Sequence, residues 1–106
     1  ANRFVAEFIG SPSMNFVPAE LLDGVPGHHI GIRPEYARIT KNGRLPGTVV
    51  HVEKLGGDTN ILIDLGGGLT FTSREFGQYD STIGDQIFID FDDSKCLTFD
   101  SQGQRI

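Results

Sequence analysis

The sequence predicts a mostly β fold, a small antiparallel barrel or sandwich preceded by one short helix. Three observations carry that expectation. Apolar and polar residues alternate over most of the chain, glycine clusters separate the alternating runs, and helical spacing is confined to the first ten residues. Strands with one wet face imply antiparallel pairing, and several short strands joined by glycine turns suit a barrel or sandwich.

Residues 2–9 read as the helix. Asn2 can cap it, Phe4, Val5, Phe8 and Ile9 share one face, and Gly10 with Ser11-Pro12 ends it. A helix this short is not stable alone, so it is expected to dock on a neighbour or to end a longer helix upstream. The chain opens with Ala1-Asn2-Arg3-Phe4 and no initiator Met, which reads as a piece of a longer protein. Strand patterns follow. Ile30 and Ile32 alternate with Gly31, Val50 and Val52 with His51 and Glu53, and Ile61, Ile63 and Leu65 share one face. Leu69 and Phe71, then Ile87, Ile89 and Phe91, then Leu97 and Phe99 complete five or six strands. The turns are Gly56-Gly57-Asp58, Gly66-Gly67-Gly68 and Gly84-Asp85, and residues 77–84 read as a loop.

A chain of 106 residues suits one domain with one core. No run approaches the roughly 20 apolar residues of a membrane span. Nine basic against fourteen acidic residues give a net charge of −5, which opposes non-specific nucleic-acid binding through phosphates. The one cysteine, Cys96, cannot form an internal disulfide and reads as a small buried apolar residue.

Motifs for chemistry fail on inspection. The glycine triplet lacks the Lys-Ser/Thr of a phosphate loop and runs into strand. Asp90, Asp92 and Asp93 open like a calcium loop, but its sixth and twelfth positions hold Lys95 and Ser101, so they read as a solvated strand end. His28 and His29 are adjacent and would face opposite sides of a strand, and His51 falls on a wet face. Glu20 with Asp23, or Glu35 with Asp58, could pair in space, with surface acids as the default. Phe71, Phe88, Phe91 and Phe99 have few basic companions, so they read as core rather than as a base-stacking platform.

Several stretches together resemble a known family. Asn2-Arg3-Phe4-Val5-Ala6-Glu7-Phe8-Ile9-Gly10-Ser11-Pro12-Ser13-Met14-Asn15-Phe16 resembles the segment after the nucleotide-binding domain in ATPase subunits of maltose- and glycerol-3-phosphate-type ABC importers. Ile30-Gly31-Ile32-Arg33-Pro34-Glu35-Tyr36 is similar to that family's GIRPEH element, with Tyr36 where histidine is usual. Val52-Glu53-Lys54-Leu55-Gly56-Gly57-Asp58-Thr59 is similar to its VExLGxxT turn, and Gly84 to Arg105 resembles its closing strands. The stretch from Met14 to Ile30 is shorter than in longer relatives.

The resemblance implies an OB-like regulatory domain of the TOBE type over residues 11–106, with residues 1–10 ending a helix that leads from an absent ATPase domain. It implies no catalytic, metal or cofactor site in this chain, since ATP and Mg would belong to the absent domain. It further implies a second copy of the subunit, the ATPase domain, membrane subunits reached through that domain and a regulatory protein as partners. Location would be cytoplasmic, peripheral on the inner face of the membrane and without insertion into it. The contact candidates are Phe4 and Phe8 on the helix, Arg33 and Glu35 in one loop, and Gly56, Gly57 and Asp58 in another. Two alternatives stand beside it. A molybdate-binding relative carries SARNxLxGTV where this chain has Thr40-Lys41-Asn42-Gly43-Arg44-Leu45-Pro46-Gly47-Thr48-Val49, which keeps LxGTV but loses the Arg-Asn pair. The other is a nucleic-acid-binding OB module.

Overall fold

The computed structural model describes residues 14–22, 24–77 and 80–106. The expected helix over residues 2–9, its side chains Phe4 and Phe8, and the boundary at residue 10 lie outside the described residues. Among the described residues there are eight strands: β1 Asn15–Pro18, β2 His29–Ile32, β3 Ala37–Thr40, β4 Leu45–Lys54, β5 Asp58–Gly66, β6 Leu69–Phe76, β7 Gln86–Phe91 and β8 Leu97–Phe99. Short 3-10 turns fill Ala19–Leu22, Pro34–Tyr36 and Asp93–Lys95. The fold is therefore mostly β and antiparallel, as the alternation predicts, with two strands more than the six expected.

The strands form two sheets. One has three short strands in the order β1-β2-β8, and the other has five in the order β3-β7-β4-β5-β6. The larger sheet curls until its end strands, β3 and β6, meet. No backbone ladder joins them. Instead the Ile39 N–H donates to Glu75 Oε1 at 3.0 Å, so a carboxylate closes the barrel.

The local chemistry of the hairpins is direct. Gly67 and Gly68 form the two-residue loop between β5 and β6, with φ of 61° and 81°. Two successive positive φ values match the twist of the flanking strands, and glycine adopts them without steric cost. The β4–β5 connection is Leu55-Gly56-Gly57, where the Leu55 N–H donates to Asp58 O at 2.8 Å.

A single core serves both sheets. Val17 and Ile32 of the small sheet join Leu45, Val49, Ile61, Ile63, Phe71, Ile89 and Phe91 of the large one in one buried cluster. Full burial of each such side chain stabilises by roughly 1.5–3 kcal/mol. The alternation places Ile61, Ile63, Phe71, Ile89 and Phe91 on the inner face as expected. β4 departs from it. Val49 is buried while Val50 is 40% exposed, because the register with β5 slips between Val49 and His51. The extra residue of this bulge is Val50, and it resets the inner face from Val49 to Val52.

Asn15 ties the small sheet to the large one. Its Nδ2 donates to Ile32 O at 3.1 Å and Thr72 O at 2.8 Å, and its Oδ1 accepts from Thr72 N at 2.8 Å. The side-chain amide thus pairs with one residue of β6 as a neighbouring strand would. Asn15 is buried, so no water replaces these bonds if the amide is removed. Asn15→Ala strands the N–H and C=O of Thr72 in a dry site, each worth about 1–3 kcal/mol. The expected loss is about 2–4 kcal/mol, read from the urea midpoint at unchanged slope. A change below about 1 kcal/mol would show that the sheets are joined by apolar packing alone.

Candidate functional site

The best-organised polar group is Arg44, between β3 and β4. Its Nε lies 3.2 Å from Asp90 Oδ1, its Nη1 2.7 Å from Asp93 Oδ1, and its Nη2 donates to Phe91 O. The guanidinium carbon sits 4.1 Å from the centre of the Phe91 ring. The hydrogen bond that Arg44 donates to Asp93 leads the effects that raise the Arg44 pKa, so it stays charged throughout the accessible pH range. These acids read as a solvated strand end, and Asp92 and Asp93 are exposed just past β7. Asp90 and Asp93 also hold Arg44, and Asp92 accepts from the Ser94 N–H at 3.0 Å to start the Asp93–Lys95 turn. That bond also holds the Asp92 carboxyl below the usual carboxylate range.

Arg44 borders a pocket of about 300 Å³ between the two sheets, lined also by Leu22, Ile30, Phe91, Cys96 and Thr98. All three guanidinium nitrogens have oxygen acceptors, two of them carboxylates, so the cation of the 40–49 run is already paired within the chain. Cys96 is half-buried, with Sγ 3.6 Å from Asp92 O, and burial leads the effects that push its thiol pKa up. Among the described residues, no group of three or more His, Cys, Asp or Glu side chains could hold a metal ion. Phe71, Phe91 and Phe99 are buried, so three of the four phenylalanines weighed as a base-stacking platform belong to the interior.

The contact candidates occupy two loops bordering β6. Arg33 and Glu35 are exposed at the Pro34–Tyr36 turn, which packs on β6, and Lys95 Nζ lies 5.2 Å from the Tyr36 ring centre. Gly56, Gly57 and Asp58 form the tip between β4 and β5, where the Gly77 N–H donates to Gly57 O at 2.6 Å. The Thr59 hydroxyl donates to Gly77 O at 3.0 Å, which fixes the tip against the end of β6. Phe4 and Phe8 lie outside the described residues.

Sequence reasoning missed the apolar surface around that tip. Phe76 pairs with Asp58 and is 76% exposed, and Leu55 is 49% exposed. Val50 and Ile83 are also exposed, and the 80–85 loop is held to β4 by Gly84 N–H to Val49 O and Val49 N–H to Asp85 O. The signal was present: Phe76 continues the polar face of Thr70, Thr72 and Arg74, where an aromatic residue has no core to enter.

The arrangement defines a small antiparallel β-barrel domain with hydrogen-bonded surface loops. A model of the TOBE domain matches residues 30–99, and the chain belongs to that family. It is 33% identical over 132 aligned residues to the maltose/maltodextrin import ATP-binding protein MalK of Vibrio cholerae, covering 97% of this chain and 35% of that protein. It is 31% identical to the sn-glycerol-3-phosphate import ATP-binding protein UgpC of Chromohalobacter salexigens, covering 100% of this chain and 35% of that protein. Identity to UgpC 3 of Rhizobium johnstonii is 36%, over 63% of this chain and 23% of the relative. The chain thus spans about a quarter to a third of the length of these relatives. An alignment of 132 positions against 106 residues leaves at least 26 positions without a counterpart here.

The Cys96 environment predicts slow thiol chemistry. Thiolate is the reactive form, and a raised pKa depletes it. At pH 8 Cys96 is expected to react with a disulfide reagent several-fold more slowly than in the urea-unfolded chain. The contribution of the neutral thiol to stability is complete below the ordinary thiol range and is lost as pH rises through the folded value. Equal rates folded and unfolded would contradict that shift.

Proposed function

We infer that this domain is the regulatory part of the ATP-binding subunit of an ABC importer for carbohydrate or glycerol-3-phosphate-like solutes. The observation that carries the reading is the TOBE match over residues 30–99, together with relatives named as import ATP-binding proteins for maltose/maltodextrin and for sn-glycerol-3-phosphate. In this reading ATP hydrolysis belongs to the ATPase domain that accompanies the TOBE domain in the full subunit. That subunit works at the inner face of the membrane, docked on membrane subunits. The domain's own work is to make protein contacts: with a second copy, with its ATPase domain and with a regulatory protein. Among the described residues no helix is long and apolar enough to cross a membrane.

The hairpin tip supports a contact role. It combines accessible backbone at Gly56 and Gly57 with the exposed side chains of Leu55 and Phe76 on a hydrogen-bonded support. Apolar side chains held rigidly outward lose little conformational freedom when they are covered. The Arg33–Glu35 loop adds charge on another face bordering β6. The occupied guanidinium of Arg44 favours this reading over oxyanion binding.

Two measurements test it. Calorimetry of the chain with Mg-ATP is expected to show no saturable heat, and stoichiometric binding would move the ATPase function into this chain. Sedimentation over a concentration range is expected to show self-association at micromolar Kd or weaker, about −8 kcal/mol or less in magnitude. Phe76→Ser should weaken it. A strict monomer at high concentration, unchanged by Phe76→Ser, would remove self-contact from the proposed role.

A further inference from the structure

We propose that Asn42 is a site of spontaneous deamidation assisted by the Gly43 backbone, and that its isoaspartyl product loosens the Arg44 clamp. Asn42 lies in the exposed bend between β3 and β4 and precedes a residue with no side chain to hinder attack. Among the described residues, the Gly43 N–H donates no hydrogen bond and the Asn42 side-chain amide takes part in none.

The reaction needs water alone. The deprotonated Gly43 nitrogen attacks Asn42 Cγ, forming an N–Cγ bond. The Cγ–Nδ2 bond breaks, and Nδ2 leaves as ammonia with the displaced proton. Water then opens the cyclic imide at either carbonyl, giving aspartate or isoaspartate. No redox change occurs.

The same chain supplies protected comparators. Asn15 is buried, engages three backbone groups and precedes Phe16. Asn60 is buried, accepts from Arg74 Nε at 3.0 Å and precedes Ile61. Both side chains are held by partners and are followed by bulky residues.

The consequence follows from how closely residue 43 approaches β7. A Cβ built on Gly43 would lie 2.7 Å from Ile89 O, and the Arg44 N–H donates to that same oxygen at 3.1 Å. Isoaspartate routes the main chain through its side chain and adds one backbone atom just before this contact. The bend cannot absorb that atom toward β7, so Arg44 is displaced from Ile89 and from Asp90, Asp93 and the Phe91 carbonyl. The new carboxylate also adds negative charge beside the guanidinium's existing partners.

The test is an ageing experiment on the purified chain at mildly alkaline pH, followed by peptide mapping and isoaspartyl-specific methyl labelling. The Asn42 peptide is expected to gain about one dalton and to label on the order of tenfold faster than the Asn15 and Asn60 peptides. Aged protein should melt at lower temperature than fresh protein, and Asn42→Gln should keep its Tm over the same interval. Equal rates at the three asparagines would overturn the site. A fully modified protein with unchanged Tm would overturn the effect on the clamp. A Gly43 substitution is unsuitable, since it would collide with β7 before any ageing.

Discussion

The structure depends on a polar substitution for a missing strand. β6 has a free edge, and a row of unpaired backbone groups in a dry environment costs more than a small domain can bear. Asn15 answers that edge by imitating a peptide group, and Glu75 on β6 serves the facing edge of β3 by accepting the Ile39 N–H. Because Asn15 also bonds to Ile32 O, the same amide sets the small sheet on the barrel. Val17 and Ile32 then enter the barrel core, and one hydrophobic cluster serves both sheets. Remove the amide and the apolar packing remains, but the register of the sheets is no longer specified by directional bonds.

Arg44 is a second polar fixture of a different kind. Its clamp is partly exposed, so the ion pairs contribute modestly. Its value lies in geometry. It fastens the start of β4 to the far end of β7 and to the turn that leads into β8. The same bonds tie down one wall of the pocket between the sheets.

Most strands were legible because a half-buried strand writes its inner face into the sequence every second residue. Ile61, Ile63, Phe71, Ile89 and Phe91 are clear for that reason. β1 and β3 were not. Asn15 on the inner face of β1 breaks the apolar pattern while serving the join between sheets, and β3 offers a single large apolar residue, Ile39, on its inner face. The Val50 bulge hides similarly, since an inserted residue reverses the face and an apolar one leaves no mark. Of the site, the loops at Arg33–Glu35 and Gly56–Asp58 could be named from turn chemistry. The partners of Arg44 could not, because Asp90 and Asp93 lie more than forty residues away in sequence.

The position of β7 shapes how the fold can be made. It lies between β3 and β4, which it separates although they are consecutive in the chain. During synthesis the hairpins β4–β5 and β5–β6 can form as soon as residue 76 has emerged, while β3 and the start of β4 wait for residues 86–91. At about 5–20 residues per second, that interval lasts on the order of a second. Two strand edges stay open meanwhile, both flanking apolar side chains, and either can pair with another nascent chain. Pairings distant in sequence are slow in any case. The vulnerable period of this domain therefore falls before the last strands arrive, and a crowded ribosome is where it would aggregate.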